Sequence, residues 1–220
     1  TAPSDARGGQ ILADITKDRK IKSVAITYTN NDYGKGLADV YAAAVKAHGI
    51  KVTTSAAHED GKADYSAEVA TLASAGGDAV AVIGYLDQGG KGIIQGSLDS
   101  GAFDTFILSD GMIGDSLTDT FGKSLNKSFG SLPGSTGKGA GVFTKVAKAA
   151  GIDSSGPYTG ESYDAAALIT LAMQAGGKAD RATIQKNVMS VANAPGKKIY
   201  PGELKKALDL LAKGKDINYE

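Results

Sequence analysis

The chain contains no cysteine and no tryptophan, and its charges cancel. Without cysteine there is no disulfide, no thiolate metal site and no cysteine nucleophile. The 24 basic and 24 acidic side chains give a formal net charge of zero, which argues against nucleic-acid binding because that requires a basic face to neutralise phosphates. No apolar run approaches the ~20 residues of a membrane-spanning helix. What remains is a globular chain, 42% hydrophobic and 22% charged over 220 residues, which is long enough to bury a core.

Motifs of common catalytic and nucleotide sites are absent as well. The two histidines, His48 and His58, are ten residues apart; this is not a metal-ligand spacing, and we interpret both as solvated surface residues. The segment 84–89 has the spacing of a phosphate-binding loop, but Gly90 stands where that loop requires lysine. No G-x-S-x-G motif exists, and no pattern pairs two carboxylates for glycoside hydrolysis. We therefore expect a protein that is not an enzyme and that uses neither metal nor cofactor.

The first 130 residues alternate between strand and helix patterns. Apolar and β-branched runs predict strands at 23–28, 51–56, 79–83, 105–108 and 127–131. Amphipathic spacing predicts helices at 6–17, 36–48, after 64, around 93–98 and around 117–121. In this interpretation Asn30, Asn31 and Asp32 form the turn that closes the first strand. The alternation predicts an α/β fold with a mostly parallel sheet and helices on its faces.

The second part of the chain shows helical patterns only. They lie near 139–150, 161–176, 181–192 and 203–213, and we find no convincing strand among them. Four amphipathic helices must cover something with their apolar faces. Either they form a small helical domain, or the sheet that they cover lies in sequence absent from this chain.

Three polar or aromatic side chains follow predicted strands. Tyr33, Tyr85 and Asp110 come after the first, third and fourth strands, and ligands of open α/β sheets bind outside the carboxyl ends of the strands. An aspartate pairs with an ammonium group, and tyrosine rings offer flat apolar walls with a polar tip. The trio would suit a ligand with a cationic group and an apolar part. Ordinary packing of the tyrosines, and a turn role for Asp110 before Gly111, are the alternatives.

Several short motifs occur in an order that resembles a known family. They are Thr1-Ala-Pro-Ser-Asp5 before a helix, Asn31-Asp-Tyr-Gly-Lys-Gly36 after a strand, Gly84-Tyr85, Ser109-Asp110-Gly111 and Tyr158-Thr-Gly-Glu-Ser-Tyr-Asp-Ala165. Over essentially the whole chain they resemble the type I periplasmic binding proteins of branched-chain amino acid ABC transporters, the leucine/isoleucine/valine-binding group. The resemblance implies the type I periplasmic binding protein fold, in which two α/β lobes close on an amino acid.

The resemblance also implies a division of the chain. Residues 1–131 would be the second α/β lobe with its half of the ligand cleft, 132–137 a crossover or hinge, and 138–220 the helical part of the first lobe. The upstream part with most first-lobe strands, and a short tail after Glu220, would be missing. We therefore expect a fragment, and we expect the intact protein to be a monomer while the fragment can associate.

The resemblance assigns roles to four residues. Asp110 matches the acidic residue that binds the ligand α-ammonium, which is a glutamate in the leucine/isoleucine/valine-binding protein. Tyr33 and Tyr85 match second-lobe aromatics that line the cleft, and Tyr158 matches a first-lobe aromatic beside the ligand side chain. The implied protein is a periplasmic carrier of a branched-chain or other hydrophobic or polar amino acid, and its partner is a permease in the inner membrane. A ligand-sensing domain of a receptor or regulator is the alternative, and an α/β enzyme that uses Asp110 and a neighbouring lysine is the third hypothesis.

Overall fold

The structure is a computed structural model that describes all residues from Thr1 to Glu220. It divides into two compact units, one formed by Pro3–Pro133 and the other by Gly134–Glu220 together with Thr1–Ala2. The unit Pro3–Pro133 contains two buried apolar clusters, and the other unit contains one.

The unit Pro3–Pro133 alternates helices with strands, as the sequence predicts. Its elements are α1 (Asp5–Asp18), β1 (Ser23–Thr29), α2 (Asp32–Ala47), β2 (Lys51–His58), α3 (Ser66–Ala75), β3 (Ala79–Ile83), α4 (Gly90–Asp99), β4 (Phe106–Leu108), α5 (Asp115–Phe121) and β5 (Phe129–Gly130). The five strands form one sheet in the order β2-β1-β3-β4-β5, and every neighbouring pair is parallel. The predicted α/β class with a parallel sheet is confirmed.

Helices cover the sheet on both faces. Alternate side chains of a strand point to opposite faces. One set, which includes Val24 and Ile26, packs against Leu12 of α1 and Tyr41 of α2. The other set, which includes Val82, packs against side chains of α3, α4 and α5. All five residues of β3 are fully buried, which explains why this strand is a continuous apolar run rather than an alternating one.

Helix α2 begins four residues earlier than the sequence interpretation placed it. Asn31 is extended and its side-chain Oδ1 accepts a hydrogen bond from the Gly34 N–H at 2.9 Å. This contact satisfies one of the amide groups that a helix leaves unpaired at its first turn. The segment that we interpreted as a turn is therefore a helix cap, and Tyr33 lies on the first helical turn.

The unit Gly134–Glu220 contains four helices and a small sheet. Its elements are α6 (Lys138–Ala149), α7 (Thr159–Gly176), α8 (Arg181–Ala192), β6 (Lys197–Ile199), α9 (Leu204–Ala212) and β7 (Ile217–Tyr219). The four predicted helices are confirmed, but the prediction of no strand was wrong, since β6 and β7 pair in parallel. Each strand has only three residues, too few for a period of two to be recognised, and its pairing partner lies about twenty residues away in the chain.

The core of this second unit is built from side chains of α7, α8 and α9 packed on the two short strands. It includes Leu171, Val191, Ile199 and Ile217. The Tyr219 hydroxyl donates a hydrogen bond to Asp164 Oδ1 at 2.6 Å, which ties β7 to α7. No helix in either unit combines the length and the apolarity needed to cross a membrane.

Candidate functional site

The strand order places a topological switch point between β1 and β3. These strands are neighbours, yet α2 after β1 packs on one face of the sheet and α4 after β3 packs on the other. Where the helices that follow two adjacent parallel strands leave to opposite faces of the sheet, ligands of open α/β sheets bind outside the strand ends. Tyr33 is the second residue of α2, and Tyr85 lies two residues after β3. Both tyrosines therefore lie at this switch point.

The structure brings Tyr33 and Asp110 into direct contact. Asp110 begins a short 3-10 turn two residues after β4, and the Tyr33 hydroxyl donates a hydrogen bond to Asp110 Oδ1 at 2.8 Å. The same phenol oxygen lies 3.1 Å from Ser109 Oγ and accepts a longer hydrogen bond, at 3.4 Å, from the Gly111 N–H. Residues separated by more than 70 positions in the chain thus form one hydrogen-bonded group.

Tyr85 packs on the ring of Tyr33. The two ring centroids are 5.4 Å apart and the planes are inclined by 27°, which is a stacked arrangement. Close backbone packing accompanies the stack, since a Cβ built on Gly111 would lie 2.4 Å from the Gly84 carbonyl oxygen and 3.3 Å from Cδ1 of Tyr85. A side chain at position 111 would therefore push apart the connections that follow β3 and β4.

The ionisable groups at this position are the phenol of Tyr33 and the carboxylates of Asp110 and Asp5. Burial raises the pKa of the Tyr33 phenol well above its ordinary value, and the Asp110 carboxylate adds to that increase. Tyr33 is thus a neutral hydrogen-bond donor at physiological pH. The pKa of Asp5, at the start of α1, is also raised, first by partial burial and then by the negative charge of Asp110. Two carboxylates whose negative charges repel each other favour a bound cation, because a cation reduces that repulsion.

Sequence reasoning missed two members of this group. Ser109 Oγ accepts a hydrogen bond from the Gly84 N–H at 3.3 Å and contacts the Tyr33 hydroxyl, so it links β3, β4 and α2. Asp5 ends the first sequence motif, Thr1-Ala-Pro-Ser-Asp5, but we assigned no role to it. The available signal for a site role was position, since Ser109 follows a strand and Asp5 begins a helix.

Tyr158 belongs to the other unit. It precedes α7 and has a left-handed backbone, with φ 60° and ψ 12°. Such a conformation is uncommon outside glycine and asparagine, and it concentrates at functional positions. The assignment of Tyr158 to the site stays a prediction, because it is placed in a different unit from the other three residues.

One histidine differs from the sequence interpretation. We interpreted both as solvated, and His48 does lie at the surface, where Nε2 contacts Asp14 Oδ1 at 2.7 Å. His58, however, is 2% exposed. It ends β2, its Nδ1 lies 2.9 Å from Thr27 Oγ1, and its ring packs edge-on against Tyr65. The interpretation was wrong for His58 because Thr27 of β1, 31 positions away, and Tyr65, just before α3, pack against it.

Comparison with known proteins decides the family. The periplasmic binding protein family matches this chain over residues 1–198. This chain belongs to the periplasmic binding protein family. A Leu/Ile/Val-binding protein homolog from Brucella melitensis is 37% identical over 91 residues, which are 41% of this chain and 25% of that protein. A substrate-binding protein of a chemotactic signal transduction system from Halobacterium salinarum is 26% identical over 224 residues, 100% of this chain and 52% of that protein.

Solved structures of this family share the fold. A type 1 periplasmic binding protein from Bordetella pertussis superimposes with a TM-score of 0.71 at 22% identity, and the match covers 87% of this chain and 55% of that one. The fold is therefore the type I periplasmic binding protein fold. The match that includes all of this chain covers 52% of the Halobacterium protein, and the structural match covers 55% of the Bordetella protein, so the chain spans about half the length of these relatives.

Proposed function

We propose that this protein is the solute-binding component of an ABC transporter that takes an amino acid, branched-chain or otherwise hydrophobic or polar. The proposal extends family membership to ligand class. The amino acid would bind between two lobes whose closure traps it, and the closed form would deliver it to a permease in the inner membrane. In this proposal the protein would act in the periplasm, as a monomer when intact and without nucleic acid as a partner.

One observation carries the proposal: Asp110 projects from the end of β4 at the switch-point edge, hydrogen-bonded to the Tyr33 phenol. A carboxylate binds an ammonium group by charge-assisted hydrogen bonds. The stacked Tyr33 and Tyr85 rings supply apolar surface beside it. This combination matches two of the three groups of a free amino acid, the α-ammonium and the side chain.

The roles follow from this arrangement. Asp110 would bind the α-ammonium, Tyr33 and Tyr85 would border the ligand on the side of the Pro3–Pro133 unit, and Tyr158 would contact its side chain. The Brucella relative is a Leu/Ile/Val-binding protein homolog, which supports the amino acid class. The family membership supports a protein that binds its ligand without transforming it.

A sensing role is the second candidate function. The relative from Halobacterium salinarum matches this whole chain and is a substrate-binding protein of a chemotactic signalling system. Binding would then report the ligand to a receptor instead of supplying it to a permease. Deletion of the gene separates the two roles, since loss of amino acid uptake supports transport and loss of chemotaxis with normal uptake supports sensing.

The ligand class is tested by calorimetric titration of the full-length gene product with the twenty amino acids. Asp110→Asn should weaken binding of the best ligand by about a hundredfold, because a hydrogen-bonded charge pair is lost. His48→Gln, at the other end of the sheet beside Asp14, is the matched control and should bind normally. Absence of binding to any amino acid, or equal losses in the two variants, would contradict the proposal.

A further inference from the structure

We propose that Tyr33 acts on the ligand through Asp110: its hydroxyl fixes the carboxylate in the orientation that receives the ammonium group. Tyr33 is then a positioning residue and not simply an aromatic wall of the cleft. This inference rests on the proposed function and deepens it, because it names the group that orients the proposed ammonium-binding carboxylate.

The proton count at the phenol supports this role. Tyr33 has one hydroxyl proton, whereas its oxygen lies within hydrogen-bond distance of Asp110 Oδ1, Ser109 Oγ and the Gly111 nitrogen. A carboxylate only accepts and an amide only donates, so the phenol proton goes to Asp110 and the oxygen accepts from Gly111. The Ser109 hydroxyl supplies its own proton to the remaining contact. The phenol hydrogen is therefore committed to Asp110.

The phenol is itself held by the strand ends. Ser109 Oγ is bonded to the Gly84 N–H after β3, and the Tyr33 ring is stacked on Tyr85 in the same connection. Its backbone is fixed by the Asn31 cap two residues earlier. The hydroxyl thus has little freedom to leave Asp110, and fixing a side chain before binding lowers the conformational entropy lost when the ligand binds.

The choice of donor matters for the ligand. A lysine or arginine at this distance would also orient Asp110, but it would neutralise the carboxylate that has to attract an ammonium group. A phenol orients without neutralising, because burial and Asp110 together keep Tyr33 protonated. The nearby Asp5 carboxylate, whose pKa the charge of Asp110 helps to raise, adds to the negative potential. Orientation and charge are thereby supplied by separate residues.

The first test uses the ligand-free full-length protein. NMR three-bond couplings report the χ1 rotamers of Asp110. We expect one rotamer in the wild type and averaging over several in Tyr33→Phe, which removes the hydroxyl and keeps the ring. Tyr28→Phe, a hydroxyl deletion within β1, is the matched control and should leave Asp110 in one rotamer. A single rotamer of Asp110 in Tyr33→Phe would overturn the inference, whatever the protein binds.

The second test is a double-mutant cycle with L-leucine and its 2-hydroxy acid analogue, which lacks the ammonium group. Tyr33→Phe should weaken leucine binding roughly tenfold and change binding of the hydroxy acid little. In the Asp110→Asn background the same substitution should add no further loss for leucine, since the two residues act as one unit. Additive losses, or equal losses for both ligands, would overturn the positioning role while leaving the proposed function intact.

Discussion

At the scale of single residues, this protein places polar groups where the chain leaves a strand. Asp110, Tyr33 and Ser109 meet because β1 and β4 both end at the same edge of the sheet. Under the proposed function this group holds the ligand, and substitution of Asp110 should therefore alter binding far more than stability.

His58, in contrast, is a buried polar residue that we expect to affect stability. Its Nε2 atom is buried without a hydrogen-bond partner within the protein. Burial lowers the pKa of its imidazole below the ordinary 6.5, although the carboxylates of Asp60, Glu68 and Glu59 act in the opposite direction. The folded protein therefore holds His58 neutral under conditions in which the unfolded chain would protonate it.

The free energy of unfolding should consequently fall as the pH decreases through about 6.5 towards the lower folded pKa, because only the unfolded state gains the proton in that window. Urea unfolding at a series of pH values measures this. His58→Gln should flatten the profile between pH 7 and 5. Identical profiles for wild type and His58→Gln would show that another group causes the acid sensitivity.

At the scale of elements, α2 shows how packing decides the effect of a substitution that helix propensity alone would favour. Gly34 and Gly36 are two residues apart in the same helix. A Cβ built on Gly36 meets no atom within 4 Å, but one built on Gly34 would lie 2.2 Å from the Thr29 carbonyl oxygen. The close approach at Gly34 lets α2 begin directly after β1 and places Tyr33 at the strand end.

We expect Gly36→Ala to stabilise the protein by about 0.5–1 kcal/mol, the difference in helix propensity between alanine and glycine. Gly34→Ala should destabilise it by about 1–3 kcal/mol, since the added methyl group clashes with backbone that cannot rotate away. Thermal unfolding of the two variants checks this, each serving as the control for the other. A gain in stability from Gly34→Ala would mean that α2 can shift without cost.

At the scale of the whole molecule, the Pro3–Pro133 unit is a sheet covered by helices on both faces. Its sheet has an apolar cluster on each face, and every strand has a hydrogen-bonded neighbour. The second unit has one cluster and a two-stranded sheet, and it leaves Ile152, Ile169 and Met189 exposed by 58%, 44% and 68%. Exposed apolar side chains of this size favour association when they adjoin one another.

We expect residues 3–133, expressed alone, to fold and to unfold in a single cooperative transition, because a segment of that size with two covered sheet faces buries enough apolar surface. Urea titrations followed by circular dichroism and by tyrosine fluorescence should coincide. Val82→Asp, which places a carboxylate in the fully buried β3, is the negative control and should abolish the transition. Non-coincident or gradual unfolding of the unsubstituted segment would contradict the prediction.

Much of the fold follows from local patterns. The apolar run at 79–83 and the helical spacing around Tyr41 predict their elements because periodicity reports which faces are buried. The early start of α2 and the strands β6 and β7 were not predicted, since they depend on a cap geometry and on pairing between segments of three residues. At the site, the sequence indicated the candidates Tyr33, Tyr85 and Asp110, and the resemblance added Tyr158.

The sequence by itself determined the order of elements, the parallel α/β class and the residue types available at the strand ends, because these properties depend on neighbours within a few positions. Only the tertiary structure decided that the phenol of Tyr33 contacts Asp110, that Ser109 joins them and that His58 is buried. Those outcomes require segments 25 to 77 residues apart to meet. Such meetings are set by strand order and by the packing of helices on each face, which no local pattern specifies.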